Sequence, residues 1–105
     1  MALTSEQDSK VSGLCRLAID NEMTIYEIDA LKQGLSEAIE SYEQFELNLA
    51  AVEEIDTSGI QLLLALTNEL KRIKKPFILT EVSSTVAKLI ESYGVDDRLI
   101  IGEAA

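Results

Sequence analysis

Apolar residues recur along this chain at two spacings, and each spacing predicts a different kind of element. Short apolar or alternating runs predict strands. These runs are Leu14–Ile19, a very short one at Met23, Phe45–Val52, Phe77–Thr80 and Leu99–Ile101. The run over Phe45–Val52 ends apolar on both faces, which indicates a central strand. The pair Asp20-Asn21, between the first two runs, predicts a turn.

Three other segments carry apolar residues every three or four positions, which predicts amphipathic helices. They run from about Thr24 to Tyr42, from the segment Asp56–Gly59 to Pro76, and from about Ser84 to Tyr93. Thr24 and Glu27 fit a capping box at the start of the first helix. The basic residues Lys71–Lys75 predict a solvated C-terminal end for the second helix. Tyr26, Tyr42 and Tyr93 are interpreted as packing residues, with Tyr93 turned inward.

The order of these elements predicts an α/β fold, with parallel strand pairing from the third strand onward. A chain of 105 residues fits one domain. Residues 1–10 are polar and are expected to form a flexible N-terminal tail, with the domain over residues 11–105. The expected architecture is a mixed β-sheet of about four to five strands packed with helices.

The composition excludes several classes of chemistry. The chain has no histidine and a single cysteine, Cys15, so Cys–His catalysis is impossible within it and most zinc ligands are absent. We therefore expect no enzyme activity, no metal and no cofactor, and we interpret Cys15 as a core residue. A net charge of −10 disfavours nucleic acid as a partner.

No apolar run in the sequence reaches the roughly 20 residues that a membrane-spanning helix needs, so no direct membrane insertion is expected. The first ten residues, MALTSEQDSK, lack the basic start and apolar stretch of a secretory signal. Together these features predict a cytoplasmic protein.

The segment Asp56-Thr57-Ser58-Gly59 joins a predicted strand to the second helix. Sites in open α/β sheets form where strands end, and the first amides of a helix favour an anion. A purely structural role is also open, because Ser58 and Gln61 fit a capping box and Asp56 or Thr57 could cap instead.

These residues resemble the signature of STAS domains, the family of anti-sigma-factor antagonists and their relatives. The D-[ST]-S-G turn is the specific part, and the resemblance extends from about Leu14 to Ile101. One departure is Asp20-Asn21-Glu22, where many members carry a glycine between the first two strands.

The resemblance implies that Ser58 accepts phosphate, with Thr57 as the neighbouring hydroxyl and Asp56 as the family aspartate. The unphosphorylated form would bind a partner anti-sigma factor that is also a serine kinase, phosphorylation would release it, and a phosphatase would reset the switch. The expected partner-binding residues are Asp56, Thr57, Ser58, Gly59, Ile60, Ser83 and Ser84. The two serines are included because parallel pairing would bring them to the same sheet edge as Ser58.

Two alternatives remain open from the sequence. The chain could be a non-sigma STAS subunit, a structural or regulatory partner of a lipid-transport ABC system or of a chemotaxis protein, with Ser58 only a helix cap. An acyl carrier protein is also small and acidic with a modified serine. That class needs Asp-Ser-Leu in an all-helical domain, whereas Thr57 and Gly59 interrupt the motif here and a strand precedes it.

Overall fold

Strands and helices alternate along most of the chain in the computed structural model, which describes residues 3–5, 13–95 and 99. The strands are β1 Leu3–Ser5, β2 Leu14–Ile19, β3 Asn21–Met23, β4 Gln44–Leu49, β5 Val52–Ile55 and β6 Phe77–Val82. The helices are α1 Ile28–Ser41, α2 Thr57–Arg72 and α3 Ser84–Tyr93. The predicted α/β class and single domain are confirmed.

The strands form two sheets. The larger sheet has the order β1-β2-β4-β6, in which β1 is antiparallel to β2 while β2, β4 and β6 are parallel. The smaller sheet is a parallel pair of β3 and β5. The predicted mixed sheet and the parallel pairing are therefore confirmed, and β4 is the central strand between β2 and β6.

The run Phe45–Val52, which the sequence predicts as one strand, is divided between the two sheets. β4 ends at Leu49, two exposed alanines form a turn, and β5 begins at Val52 in the smaller sheet. At the turn the Asn48 side chain accepts a hydrogen bond from the Ala50 amide (2.8 Å), which takes that amide out of any ladder. Apolar composition alone does not show this change of sheet, because Ala50 and Ala51 fit a strand and a turn equally well.

The turn predicted at Asp20-Asn21 is confirmed and accounts for the departure from the family glycine. Asn21 has φ 65°, a left-handed conformation that asparagine tolerates better than most residues other than glycine. Its amide donates to the Ala51 carbonyl (3.1 Å). Asn21 thus redirects the chain from β2 in the larger sheet to β3 in the smaller sheet.

The capping box predicted at Thr24 is wrong. α1 begins at Ile28 with Glu27 as its N-cap, and no side chain caps it. The Thr24 hydroxyl instead donates to the Glu22 carboxylate, and residues 24–27 form a turn closed by the Glu27 amide and the Thr24 carbonyl (2.9 Å). The competing acceptor on β3 removes the hydroxyl from the helix end. The predicted helix end near Tyr42 is confirmed, since α1 ends at Ser41 and Tyr42 is its C-cap.

The ends of the chain are described only in part. Residues 1–10 are expected to be a flexible tail, but Leu3–Ser5 form an edge strand whose backbone pairs with Leu17–Ile19. The correction has a physical reason, since β2 would otherwise leave its outer backbone groups without ladder partners. Of the strand predicted at Leu99–Ile101, only Leu99 lies among the described residues, where it forms a buried bend.

The core lies where alternate side chains of the larger sheet meet the apolar faces of the helices. Its sheet side includes Leu17, Leu47 and Leu79, and its helix side includes Leu31 and Leu63. Cys15 also belongs to this core, and burial raises the pKa of its thiol, which suppresses the reactive thiolate. The interpretation of Cys15 as a packing residue is confirmed.

The C-terminal ends of α1 and α2 are joined by one lysine. The Lys75 ammonium donates to the carbonyls of Ile39 (2.7 Å) and Tyr42 (2.8 Å), and the side chain of Lys75 is only 17% exposed. This lysine therefore satisfies carbonyls that the end of α1 leaves without partners. The sequence predicts a solvated basic cluster here, which is wrong for Lys75.

Lys75→Met is expected to lower the free energy of unfolding by about 1–3 kcal/mol, because two carbonyls at the end of α1 lose a charged donor. Urea denaturation followed by circular dichroism measures this. Lys74→Met is the matched control, because Lys74 is exposed and adjacent, and it should change stability by less than about 0.5 kcal/mol. Equal effects of the two substitutions would contradict the role given to Lys75.

Candidate functional site

Asp56 caps the N-terminus of α2. Its backbone is extended, and one carboxylate oxygen, Oδ1, accepts hydrogen bonds from the amides of Ser58 (2.9 Å) and Gly59 (3.4 Å). A carboxylate is well suited to this position because it satisfies free amides and lies at the positive end of the helix dipole. The capping box predicted for Ser58 and Gln61 is therefore wrong, since Ser58 is the second residue inside the helix.

The second carboxylate oxygen of Asp56 holds a different segment. Oδ2 accepts the amide of Ile25 (3.0 Å), in the loop between β3 and α1. The Asp56 amide in turn donates to the Met23 carbonyl at the end of β3 (3.3 Å). One residue thus links the end of β5, the start of α2 and the loop that leads to α1.

Gly59 allows α2 to begin directly against the smaller sheet. A β-carbon at this position would lie 2.5 Å from the Met23 carbonyl oxygen and 2.6 Å from Cγ1 of Ile55. Gly59 is buried, and so is Ile60, which is 1% exposed. Both residues are predicted to contact a partner, and the structure places them beneath the turn, inside the protein.

The Ser58 hydroxyl has no hydrogen-bond partner among the residues that the structure describes. Ser58 is half-buried at a shallow groove of about 220 Å³ between α1 and α2. Apolar side chains line most of the groove, and Lys32 supplies its positive charge. With Asp56 acting as the cap, the start of α2 does not use the Ser58 hydroxyl.

Thr57 differs from its neighbour in this respect. Thr57 is exposed, and its hydroxyl is hydrogen-bonded to the phenol of Tyr93 at the end of α3. The sequence predicts that Tyr93 points into the core, but the side chain is 44% exposed and reaches the start of α2. A contact between residues 36 positions apart leaves no local pattern in the sequence.

Ser83 and Ser84 lie at another depression. Ser83 caps α3 by accepting the amide of Val86 (3.2 Å). Both serines line an open depression of about 630 Å³ at the carboxyl ends of β4 and β6, together with residues 50–53. No residue lines both this depression and the Ser58 groove. The structure therefore does not bring the two serines into the groove that holds Ser58.

Two exposed apolar residues that the sequence analysis did not assign to the site lie next to it. Ile25 is 62% exposed and lines the Ser58 groove, and Tyr26, which follows it in the loop, is 88% exposed. Tyr26 was predicted to pack, which is wrong. One sequence signal could have pointed to these two residues, namely that neither fits the apolar face of α1. The hydrogen bond from the Ile25 amide to Asp56 is a tertiary contact, which the sequence pattern does not show.

Within the described ranges, no group of three or more metal-ligating side chains is close enough together to hold a metal ion. None of the helices in the same part of the chain combines the length and the apolar character that crossing a bilayer requires.

The fold and the turn define the class of protein. A family model described as "Mlab, STAS domain" matches residues 7–102, nearly the whole chain, and the chain therefore belongs to the STAS domain family. The resemblance drawn from Asp56–Gly59 is confirmed. Comparison with curated proteins by sequence found no significant match.

Solved structures share the fold at low sequence identity. The anti-sigma factor antagonist SpoIIAA in its unphosphorylated form superposes with a TM-score of 0.78 at 21% identity, over 99% of this chain and 89% of that one. The Bacillus cell fate determinant SpoIIAA in the phosphorylated form gives 0.74 at 20% identity, over 99% and 92%.

Proteins of other organisms and another class have the same fold. An anti-sigma factor antagonist from Mycobacterium paratuberculosis gives a TM-score of 0.80 at 19% identity, over 97% of this chain and 86% of that one. A sulfate transporter family protein from Wolinella succinogenes gives 0.68 at 22% identity, over 85% and 75%. Because identities this low carry the fold alone, function has to be argued from the site.

Removal of the Asp56 carboxylate is expected to destabilise the protein more than removal of the Ser58 hydroxyl. Asp56→Ala should lower the free energy of unfolding by about 1–2 kcal/mol, because α2 loses its cap. Asp56→Asn should cost less, since asparagine caps as well as aspartate. Ser58→Ala should stay within about 0.5 kcal/mol of the wild type. Chemical denaturation checks the order, and an equal cost for Ser58→Ala would restore Ser58 as the cap.

Gly59→Ala is expected to lower the free energy of unfolding by about 1–3 kcal/mol, because the new methyl group meets a backbone oxygen on β3. Helix propensity alone predicts the opposite, a gain of up to about 1 kcal/mol. The sign of the change in the denaturation midpoint separates the two effects. Ser58→Ala, which places alanine at the neighbouring position, is the control.

Proposed function

We propose that this chain is a phosphorylation-controlled protein-interaction switch of the anti-sigma-factor-antagonist kind. In this proposal the unphosphorylated form binds an anti-sigma factor that is also a serine/threonine kinase, and phosphorylation of Ser58 releases it. The observation that carries the proposal is the Ser58 hydroxyl, which lies at an open groove without a described hydrogen-bond partner because Asp56 caps the helix.

The proposed reaction is an in-line phosphoryl transfer to Ser58. The Ser58 Oγ attacks the γ-phosphorus of a nucleoside triphosphate held by the partner, and an O–P bond forms. The bond from that phosphorus to the β–γ bridging oxygen breaks, and the nucleoside diphosphate leaves. A separate phosphatase then transfers the phosphoryl group to water and regenerates the hydroxyl.

The catalytic base is assigned to the partner. Asp56 is the acidic residue next to Ser58, but its two oxygens already accept amides of Ser58, Gly59 and Ile25. A carboxylate committed to three amides is a structural acceptor, and a protonated one would weaken the cap. The chain therefore acts as the substrate of the reaction and not as the enzyme, and nucleotide belongs to the partner.

The local charge explains how one phosphate would release a partner. A phosphoserine adds about −1.5 to −2 charges at pH 7. Glu53 and Glu54, both exposed on β5, precede the site, and the whole chain already carries −10. Each exposed charge pair a few ångströms apart is worth only about 1 kcal/mol in water, but several act together. The larger effect comes from removing water from the phosphate inside an interface.

The surface proposed for the partner is centred on the Ser58 groove. Thr57 and Ser58 contribute to it with the exposed loop residues Ile25 and Tyr26, whereas Gly59 and Ile60 support it from inside. Apolar residues at the centre of an interface and charges at its rim are the usual arrangement. Ser83 and Ser84 remain a predicted outer part of the interface, and the proposed place of action is the cytoplasm.

Protein purified from its native cells is expected to carry one phosphate on Ser58, and Ser58→Ala protein is expected to carry none. Intact mass and peptide mapping measure both. Ser36→Ala, at an exposed serine in the middle of α1, is the matched control and should keep the phosphate. A kinase recovered with wild-type and Ser58→Ala protein but lost with Ser58→Glu would support the release step.

The opposite outcome has a clear meaning. If no growth condition places phosphate on Ser58, and Ser58→Glu retains every partner that the wild type binds, the switch is wrong. The chain would then be an unmodified STAS subunit of a transport or chemotaxis system. A phosphopantetheine mass on the purified chain would point instead to an acyl carrier.

A further inference from the structure

We infer that Tyr93 is a specificity-determining residue that directs phosphate to Ser58 and away from the adjacent Thr57. The inference rests on the proposed phosphorylation of this turn. It goes beyond that proposal because it names the residue that selects between two neighbouring hydroxyls.

Solvent exposure alone would favour phosphorylation of Thr57 over Ser58. Thr57 is exposed at the first position of α2, whereas Ser58 is half-buried at the second position. Both residue types are accepted by serine/threonine kinases, and their backbone positions differ by one residue. A feature other than solvent exposure must therefore separate Thr57 from Ser58.

The hydrogen bonds of the two side chains differ. The Thr57 hydroxyl is bonded to the Tyr93 phenol, while no described residue bonds the Ser58 hydroxyl. A hydroxyl attacks phosphorus through a free lone pair, with its side chain rotated in line with the leaving group. The bond to Tyr93 holds the Thr57 side chain in one orientation and takes one of the positions around its oxygen, and a phosphate there would displace the phenol. Ser58 meets neither obstacle.

The fold holds Tyr93 in the position that this role requires. Tyr93 is the last residue of α3, which Ser83 caps at its start and Gly94 ends in a left-handed conformation with φ 66°. α3 packs against β5, the strand that leads into Asp56. The phenol and the start of α2 are therefore both positioned by the same strand.

Phosphoryl transfer to Thr57 would make and break the same kinds of bond as the proposed transfer to Ser58. With Tyr93 absent, the Thr57 oxygen forms the bond to the γ-phosphorus of the partner's nucleoside triphosphate. The nucleoside diphosphate leaves, and the proton goes to the partner's base. The two reactions differ only in the acceptor oxygen, so peptide mapping can distinguish their products.

The test compares the phosphorylation site in protein purified from native cells as wild type, Tyr93→Phe and Tyr42→Phe. Tyr93→Phe removes one oxygen and keeps the ring. Tyr42→Phe is the matched control, because it makes the same change at the C-terminal end of α1. There the Tyr42 carbonyl accepts a hydrogen bond from Lys75, which the substitution leaves in place. The share of phosphate on Thr57 is expected to rise by roughly twofold to tenfold in Tyr93→Phe, the factor that one neutral hydrogen bond is worth, and to stay unchanged in Tyr42→Phe.

A second pair of variants lacks the Ser58 hydroxyl, so that Ser58 cannot compete with Thr57 for the phosphate. Ser58→Ala protein is expected to remain unphosphorylated because Tyr93 still holds Thr57, while Ser58→Ala/Tyr93→Phe protein is expected to gain phosphate on Thr57. If wild-type protein carries phosphate on Ser58, an unchanged Thr57 share in Tyr93→Phe protein and no phosphate on Thr57 in Ser58→Ala/Tyr93→Phe protein would overturn the inference and leave the proposed function standing. Wild-type protein without phosphate at either residue would overturn both.

Discussion

The carboxylate of Asp56 joins the start of α2 to the loop before α1, which lies more than thirty positions earlier in the chain. One oxygen accepts the first free amides of α2, and the other accepts the Ile25 amide from the loop before α1. A carboxylate has enough lone pairs for both tasks, and its charge suits the positive end of a helix. Because a single side chain satisfies these amides, the hydroxyl of the adjacent Ser58 is not needed to cap α2.

Close packing under the turn completes this arrangement. Gly59 lets α2 approach the Met23 carbonyl of β3 and the Ile55 side chain of β5. The chain can deliver these two short strands to one place because it leaves the larger sheet twice, at Asn21 after β2 and at Ala50-Ala51 after β4. The smaller sheet thus positions the start of α2, where the candidate site lies.

The proposed switch would signal by charge and not by a change of fold. A phosphate on Ser58 would stand at a groove between two helices, on a protein whose net charge is already −10. Such a group alters what the surface can bind without any need to move β4 or the helices. Thr57, one residue away, is engaged with Tyr93 and belongs to the contact between α2 and α3. Two adjacent hydroxyls therefore have different roles.

The sequence by itself determined the class of fold and the location of the site. Helical spacing located the three helices, although α1 begins at Ile28 and α2 ends at Arg72. Asp56-Thr57-Ser58-Gly59 identified the turn and the family, because this signal acts over a few neighbouring residues. The sequence also named Asp56, Thr57 and Ser58 as alternative caps, but local patterns could not choose among them.

Only the tertiary structure decided which of the two hydroxyls is hydrogen-bonded among the described residues. The choice of Asp56 as the cap depends on Ile25, the burial of Gly59 depends on Met23, and the engagement of Thr57 depends on Tyr93. Each of these contacts joins residues more than thirty positions apart in the chain. Their geometry follows from how the two sheets and three helices pack, which no short stretch of sequence encodes.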